Sequence, residues 1–201
     1  MRQADPAATR PRAEQAPRPL NLLNLQLFQW IAGGFSPNVT LLWIATQLAV
    51  GTSWVMGAAV ALAAWRRPAD RRYILAACLM GALAGMLAHE IAATLQQPRP
   101  FMLGLSPSWI AHGVRGSMPS THASVMFTVA LCFIYRPTLR TIGWVLAGMA
   151  LATGWARVYV GIHFPLDIAA GMLLGATLAA GPALASRWLL RTQPARPTLP
   201  I

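Results

Sequence analysis

The residues of this chain that could carry out catalysis fall in three short stretches, each beside a long apolar run. The last stretch, ARVYVGIHFPLD, holds Arg157, His163 and Asp167. Asp167 follows His163 by four residues, so its carboxylate can accept a hydrogen bond from one ring nitrogen and leave the other as a nucleophile. The planar fork of Arg157 suits the oxygens of a phosphate group. Together these residue types predict phosphoryl transfer, with His163 attacking phosphorus.

The second stretch, GSMPSTHAS, combines a helix start with polar groups. Ser120 and Thr121 follow Pro119 and precede an apolar run, a pattern typical of a helix N-terminus. The free amides of that first turn, with the helix dipole behind them, can bind phosphate. Ser120 can add a hydroxyl donor, and His122 can give a proton to a leaving group. We therefore expect Ser120, Thr121 and His122 to line an anion site.

The third stretch is QPRPF, where prolines on both sides restrain Arg99 and lower the entropy that it loses on gripping an anion. His89 and Glu90 precede it at the end of an apolar run. One hypothesis is that both residues contact substrate. The favoured alternative is that Glu90 forms an ion pair with an arginine. His112 and Arg115 lie in the long connection that follows. They face solvent or form a lid, and we expect Arg115 to touch substrate.

These three stretches resemble the three-part signature of the type 2 phosphatidic acid phosphatase (PAP2) superfamily in order, spacing and membrane setting, over residues 97–175. The short bacterial branch of bacitracin-resistance undecaprenyl pyrophosphate phosphatases is the most similar, because LNLQLFQWI, RPF and RVYVGIHFPLD all match its pattern. The resemblance implies a helical membrane bundle that uses no metal and no other cofactor. It also implies His163 as the phosphohistidine nucleophile assisted by Asp167, and His122 as the general acid. The residues that it implies for holding the phosphoryl oxygens are Arg99, Ser120 and Arg157.

The chain departs from the family signature at three positions. Ala92 stands where the signature usually has a lysine, and the sequence contains no lysine at all. Thr121 replaces the commonest glycine, and Ala156 the commonest serine. The phosphate clamp is therefore one cation short, unless Arg115 or a histidine supplies the charge.

Composition places the chain in a membrane, because 56% of its 201 residues are apolar and only 10% are charged. Sixteen arginines against five acids give a net charge of +11. The arginines form clusters between apolar runs instead of a stripe with interleaved aromatics, so we expect no nucleic-acid partner. Cys78 and Cys132 lie inside apolar runs and are expected to be small buried hydrophobic residues.

The apolar runs predict an all-α polytopic membrane bundle of five or six transmembrane helices. Residues 1–19 are expected to be a disordered arm, residues 20–192 a single membrane domain and residues 193–201 a cytoplasmic tail. The expected spans are residues 39–65, 73–96, 122–135, 141–160 and 165–190. Residues 20–35 are amphipathic and predict a helix lying in the interface, or a sixth span. Abundant glycine and alanine, as in GMALATG and GMLLGATLAAG, favour close helix packing.

Arginine placement predicts the orientation. The connections 66–72 and 136–140 and the tail are rich in arginine, so the positive-inside rule places them in the cytoplasm. The other connections, and with them all three catalytic stretches, then meet at the periplasmic face of a bacterial inner membrane. The four arginines of the N-terminal arm would also lie outside with five spans, and this favours the alternative of six.

The favoured hypothesis is hydrolysis of the terminal phosphate of undecaprenyl pyrophosphate, with lipid as the only expected partner and the oligomeric state left open. Alternatives within the enzyme class are another lipid phosphate (phosphatidylglycerophosphate, phosphatidate or lipid A) or transfer to a lipid acceptor. A binding or carrier protein without turnover is a third hypothesis, which the His163 and Asp167 pair disfavours. Two histidines and a carboxylate also resemble a metal triad. The neighbouring arginines would repel a cation, so we expect no metal.

Overall fold

A computed structural model describes residues 19–192, and all of the regular structure in that part of the chain is helical. The six α-helices are α1 (Pro19–Ile31), α2 (Val39–Arg66), α3 (Arg71–Leu95), α4 (Thr121–Tyr135), α5 (Arg140–Tyr159) and α6 (Pro165–Thr192). Short 3-10 helices at Pro68–Asp70, Pro100–Leu103 and Pro137–Leu139 begin at prolines in the connections. The all-α prediction is confirmed, whereas the predicted tail and all but the last residue of the predicted arm lie outside the described residues.

The long helices expose apolar side chains, as expected of a multi-pass membrane protein. Trp43, Trp54 and Trp65 of α2 are exposed although they are large and apolar, which is unfavourable in water but not in lipid. Within residues 19–192, Val39–Arg66, Pro68–Leu103 and Pro165–Pro182 are long and apolar enough to cross a membrane, and α4 and α5 qualify only as a pair that is bent by 115°. The count of five or six spans stays a prediction.

Helix α4 lies at the centre of the bundle, and small residues let its neighbours approach it. Phe127 and Phe133 of α4 are buried, and α6 lies directly against the α4 backbone. A Cβ atom built on Gly171 would be 2.8 Å from the carbonyl oxygen of Ser120, and one on Gly175 would be 2.9 Å from the amide nitrogen of Thr128. The run GMLLGATLAAG therefore packs closely at Gly171 and Gly175, as its composition predicted.

The arginine-rich connections share one end of the bundle. Arg136, between α4 and α5, donates from Nε to Oδ1 of Asp70, between α2 and α3, at 2.9 Å. Asp70 is buried, and the guanidinium of Arg136 also lies over the ring of Tyr73. Because the helices alternate in direction, the connections 96–120 and 160–164 lie together at the opposite end.

Helix α1 lies at that opposite end. Its 13 residues extend about 20 Å at a rise of about 1.5 Å per residue, which is shorter than the roughly 30 Å hydrocarbon core of a bilayer. The ring of Phe28 packs edge-on against Phe164, and just beyond the helix Gly33 donates to the carbonyl of Tyr159. Both contacts are with residues around the connection between α5 and α6. This fits the expected interfacial helix better than a sixth span, although the placement relative to a bilayer stays a prediction.

The expectation for the cysteines is half wrong. Cys132 is buried as predicted, but Cys78 is exposed on α3, and both are free thiols. The apolar run around Cys78 has no polar face to show which side turns inward, so sequence alone could not place it.

We predict that Gly175→Ala destabilises the protein, because the added methyl group meets the α4 backbone and overpacking typically costs about 1–3 kcal/mol. Gly148→Ala on α5 is the control, since a Cβ atom there meets nothing within 4 Å and alanine favours a helix over glycine. Melting temperatures in detergent should fall for the first variant and stay level or rise for the second. Equal melting temperatures would show that α4 and α6 are less tightly packed than described.

Candidate active site

The candidate active site forms where the connection between α3 and α4 meets the turn between α5 and α6. Arg99 joins the two segments. Its Nε donates to the carbonyl of Arg115 at 3.0 Å and its Nη2 to that of Gly116 at 3.0 Å, while Nη1 donates to the carbonyl of Ile162 at 2.8 Å. Sequence predicted Arg99 as a phosphate ligand. The structure shows that most of its donors are already used to hold the site together.

His163 and Asp167 form the hydrogen-bonded pair that their spacing predicted. Helix α6 begins at Pro165, which places Asp167 in its first turn. The Oδ2 atom of Asp167 lies 3.2 Å from Nδ1 of His163 and also accepts from the amide of Phe164 at 2.8 Å. A carboxylate accepts hydrogen bonds, so this contact assigns the ring proton to Nδ1 and the lone pair to Nε2.

The Nε2 atom of His163 faces the positive charges of the site. It lies 3.2 Å from Nη1 of Arg99. Burial first, and then the charges of Arg157 and Arg99, hold the pKa of His163 well below its usual value. The imidazole is therefore neutral, and its free lone pair points to the place where an anion would meet Arg99.

Ser120 ties the first turns of α4 and α6 together through its backbone. Its amide donates to the carbonyl of Asp167 at 2.9 Å, so the start of α4, the predicted anion site, and the His163 pair are held at a fixed separation. Ser120 stands at the N-cap position of α4, but its hydroxyl makes no capping hydrogen bond, contrary to the usual role of serine at a helix start. That Oγ is buried and has no partner within residues 19–192.

Arg157 is buried in the last turn of α5 and contacts a residue that sequence analysis did not place in the site. Its Nη1 donates to the carbonyl of Ala49 at 3.3 Å, and its Nη2 lies 3.2 Å from Nε2 of His112. The other ring nitrogen of His112 lies 3.2 Å from the carbonyl of Gly113, which assigns the ring proton there and makes Nε2 the acceptor. In the described part of the chain, Nε of Arg157 has no partner.

His112 is therefore part of the site, and no spacing pattern in the sequence indicates this. Its ring centroid is 6.1 Å from that of His163. Burial first, and then the charge of Arg99, lowers the pKa of His112 from its usual value. Sequence analysis left it as solvent-facing or part of a lid, because a histidine within a long connection has no periodicity to place it.

An open cleft of about 940 Å³ accounts for only some of the remaining predicted residues. His89, Arg115 and the exposed Thr121 line it, together with Ala92, Arg99 and His112. His122 follows Thr121 in the first turn of α4 and is half-buried.

Glu90 is exposed, does not line the cleft and makes no ion pair within residues 19–192. The expected pairing of Glu90 with an arginine is therefore wrong. Across the same residues, no three His, Cys, Asp or Glu side chains are grouped to hold a metal ion.

We predict that Arg99→Lys loosens the site, because one ammonium group cannot reach three carbonyl oxygens in different directions. Each buried carbonyl left without a partner costs about 1–3 kcal/mol. The melting temperature should fall and protease cleavage within residues 96–120 should increase. Arg140→Lys is the matched control, since the exposed side chain of Arg140 makes a single hydrogen bond within residues 19–192, to the carbonyl of Ile134. If both variants behave alike, Arg99 is not the clamp of these connections.

Residues 73–192 match a protein-family model described as the PAP2 superfamily. This range contains every residue of the site described above apart from Ala49 of α2. It leaves α1 and α2 outside.

Two bacterial relatives match the chain at similar length. The Escherichia coli K12 protein "Putative undecaprenyl-diphosphatase YbjG" is 30% identical over 157 residues, which are 78% of this chain and 79% of that protein. Undecaprenyl-diphosphatase BcrC of Bacillus subtilis 168 is 27% identical over 157 residues, which are 76% of this chain and 78% of that protein. The crystal structure of Aquifex aeolicus LpxE superposes with a TM-score of 0.65 at 24% identity and covers 81% of this chain and 95% of that chain. The fold is therefore shared with a solved protein.

Proposed function

The chain belongs to the PAP2 superfamily, and from this premise we propose that it is a membrane phosphatase that removes the terminal phosphate of undecaprenyl diphosphate. One observation carries the proposal: Nδ1 of His163 contacts the carboxylate of Asp167, and the opposite ring nitrogen, Nε2, faces the guanidinium of Arg99. A nucleophile beside an anion clamp is what phosphoryl transfer requires. The two relatives named as undecaprenyl-diphosphatases support the choice of lipid.

The buried donors indicate where the terminal phosphate binds. Ser120 Oγ and Arg157 Nε are both buried without a partner in the described chain, and a buried polar group without a partner is costly. Phosphoryl oxygens would satisfy both donors at once. A third oxygen would take the position on Nη1 of Arg99 that Nε2 of His163 occupies at 3.2 Å. Phosphorus then lies within reach of Nε2.

The reaction follows in two steps. The lone pair of His163 Nε2 forms a bond to the terminal phosphorus, and the bond from phosphorus to the bridging oxygen breaks. His122 gives its proton to the departing lipid monophosphate as general acid. Water then attacks the phosphohistidine while His122 accepts its proton. Orthophosphate leaves and His163 is restored. Asp167 holds the ring proton at Nδ1 throughout and stabilises the charge that develops on the imidazole.

The proposed setting is the bacterial inner membrane, with the site facing the periplasm. The arginine-rich connections 66–72 and 136–140 share the opposite end of the bundle, as the Asp70–Arg136 contact requires. The positive-inside rule assigns that end to the cytoplasm. The head group of a lipid whose chain remains in the bilayer would then reach the cleft from the outer leaflet.

We predict that His163→Ala abolishes phosphate release from undecaprenyl diphosphate in detergent with chelator present, because the covalent step needs this nucleophile. The melting temperature should be measured alongside, so that a folded but inactive protein is distinguished from an unfolded one. Wild-type protein quenched in base during turnover of substrate with a labelled terminal phosphate should carry acid-labile label, and the variant should carry none. A folded variant with full activity would exclude this mechanism.

The same assay with phosphatidate, phosphatidylglycerophosphate and lipid A tests the choice of substrate. Undecaprenyl diphosphate should have the highest kcat/KM. Faster release from another of these lipids would reassign the head group, and appearance of label on a lipid acceptor would indicate transfer. Binding without release over long incubation would indicate a carrier.

We predict that Asp167→Asn lowers kcat by a factor on the order of 10⁴, the size of the effect of the same change in a Ser-His-Asp triad. The amide can donate to Nδ1, which favours the tautomer with its proton on Nε2 and so removes the nucleophilic lone pair. KM should change much less, since Asp167 does not face the phosphate. Rapid-quench measurement of phosphoenzyme formation would locate the loss in the first step. An unchanged rate of formation would contradict the assigned tautomer.

A further inference from the structure

Arg115 is held so that its backbone supports the site while its side chain faces the open cleft. Its carbonyl accepts from Nε of Arg99, and the next carbonyl, that of Gly116, accepts from Nη2. A Cβ atom at position 116 would overlap the carbonyl oxygen of Ala92. The absence of a side chain at Gly116 therefore lets this loop lie directly on the last turns of α3.

Because of this close approach, the side chain of Arg115 lies near Ala92, the position where the family signature usually has a lysine. Ala92 is buried beneath the loop and lines the cleft. Nη1 of Arg115 lies 3.3 Å from Nε2 of His89, one helical turn before Ala92. The loop thus places the guanidinium group of Arg115 along the face of α3 that carries residues 89 and 92. In the family signature, a lysine on the helix itself supplies the positive charge there.

Arg115 also has more spare donors than Arg99. Both arginines line the cleft, but three of the hydrogen bonds of Arg99 go to carbonyl oxygens. Arg115 is exposed, and within residues 19–192 its side chain makes only the contact with His89. A guanidinium has five N–H donors in a planar fork that matches phosphate. Arg115 can therefore bind an anion without giving up a structural bond.

We propose that Arg115, supported by His89, forms a second phosphate subsite that makes the enzyme prefer lipid diphosphates to lipid monophosphates. The inference rests on the proposed function. The buried donors Ser120 Oγ and Arg157 Nε hold the phosphate under attack, whereas the phosphate that stays on the lipid lies in the cleft beside Arg115. A monophosphate ester has no second phosphate for Arg115 to bind, so only the diphosphate benefits from this contact.

The test compares two substrates that differ by one phosphate, farnesyl diphosphate and farnesyl monophosphate. Arg115→Gln should lower the ratio of their kcat/KM values about 10- to 100-fold, the range expected for loss of a charge-assisted hydrogen bond. Arg115→Lys should recover part of the ratio, since it keeps the charge and loses the fork. His89→Gln should lower the ratio less.

Added salt should raise KM for the diphosphate more steeply in wild type than in Arg115→Gln, because salt screens the attraction between exposed Arg115 and the phosphate.

Arg72→Gln is the matched control, because exposed Arg72 lies at the other end of the bundle, and its ratio should equal that of wild type. An Arg115→Gln variant that loses activity equally on both substrates, or on neither, would overturn the subsite. Those outcomes leave the proposed function standing as long as wild type cleaves undecaprenyl diphosphate. Failure of wild type to release phosphate from any of these substrates would overturn both proposals.

Discussion

The arrangement of this site depends on one buried guanidinium group. Arg99 donates to three carbonyl oxygens that belong to two separate connections, and it keeps its charge at any pH the protein meets. The same charge lies next to Nε2 of His163. This side chain therefore holds the two connections together around His163, the proposed nucleophile, and also supplies part of the positive potential there. The flanking prolines limit the ways in which this arginine can move.

Much of this arrangement could be predicted because it follows from periodicity and from the chemistry of helix ends. Long apolar runs bounded by arginine or proline placed every helix within a few residues of its observed bounds. Pro165 indicated where α6 begins, and the four-residue spacing of His163 and Asp167 indicated their contact. The clustering of arginines predicted which connections share an end, and the Asp70–Arg136 ion pair confirms it. The family assignment followed from the same motifs.

The features that could not be predicted lie where the sequence has no regular alternation of polar and apolar residues. His112 contacts Arg157 only because of the path that a long irregular connection takes. Ser120 occupies an N-cap position, yet its hydroxyl makes no capping hydrogen bond, and its backbone amide donates to α6 instead. The exposure of Cys78 and of Glu90 depends on which face of a nearly uniform apolar helix turns inward. Sequence shows such a helix but not its rotation.

Helix α1 reaches the site through one hydrogen bond that has a consequence for how the protein is assembled. The Oδ1 atom of Asn24 accepts from the amide of Leu166 at 3.0 Å across 142 positions of sequence. An amide in the first turn of a helix has no partner within that helix, so the helix that carries Asp167 acquires its cap from the first part of the domain to be synthesised. This hydrogen bond can form only after α6 has been synthesised, although α1 is made long before it. The surroundings of Asp167 are therefore complete only when the two ends of the helical domain have met.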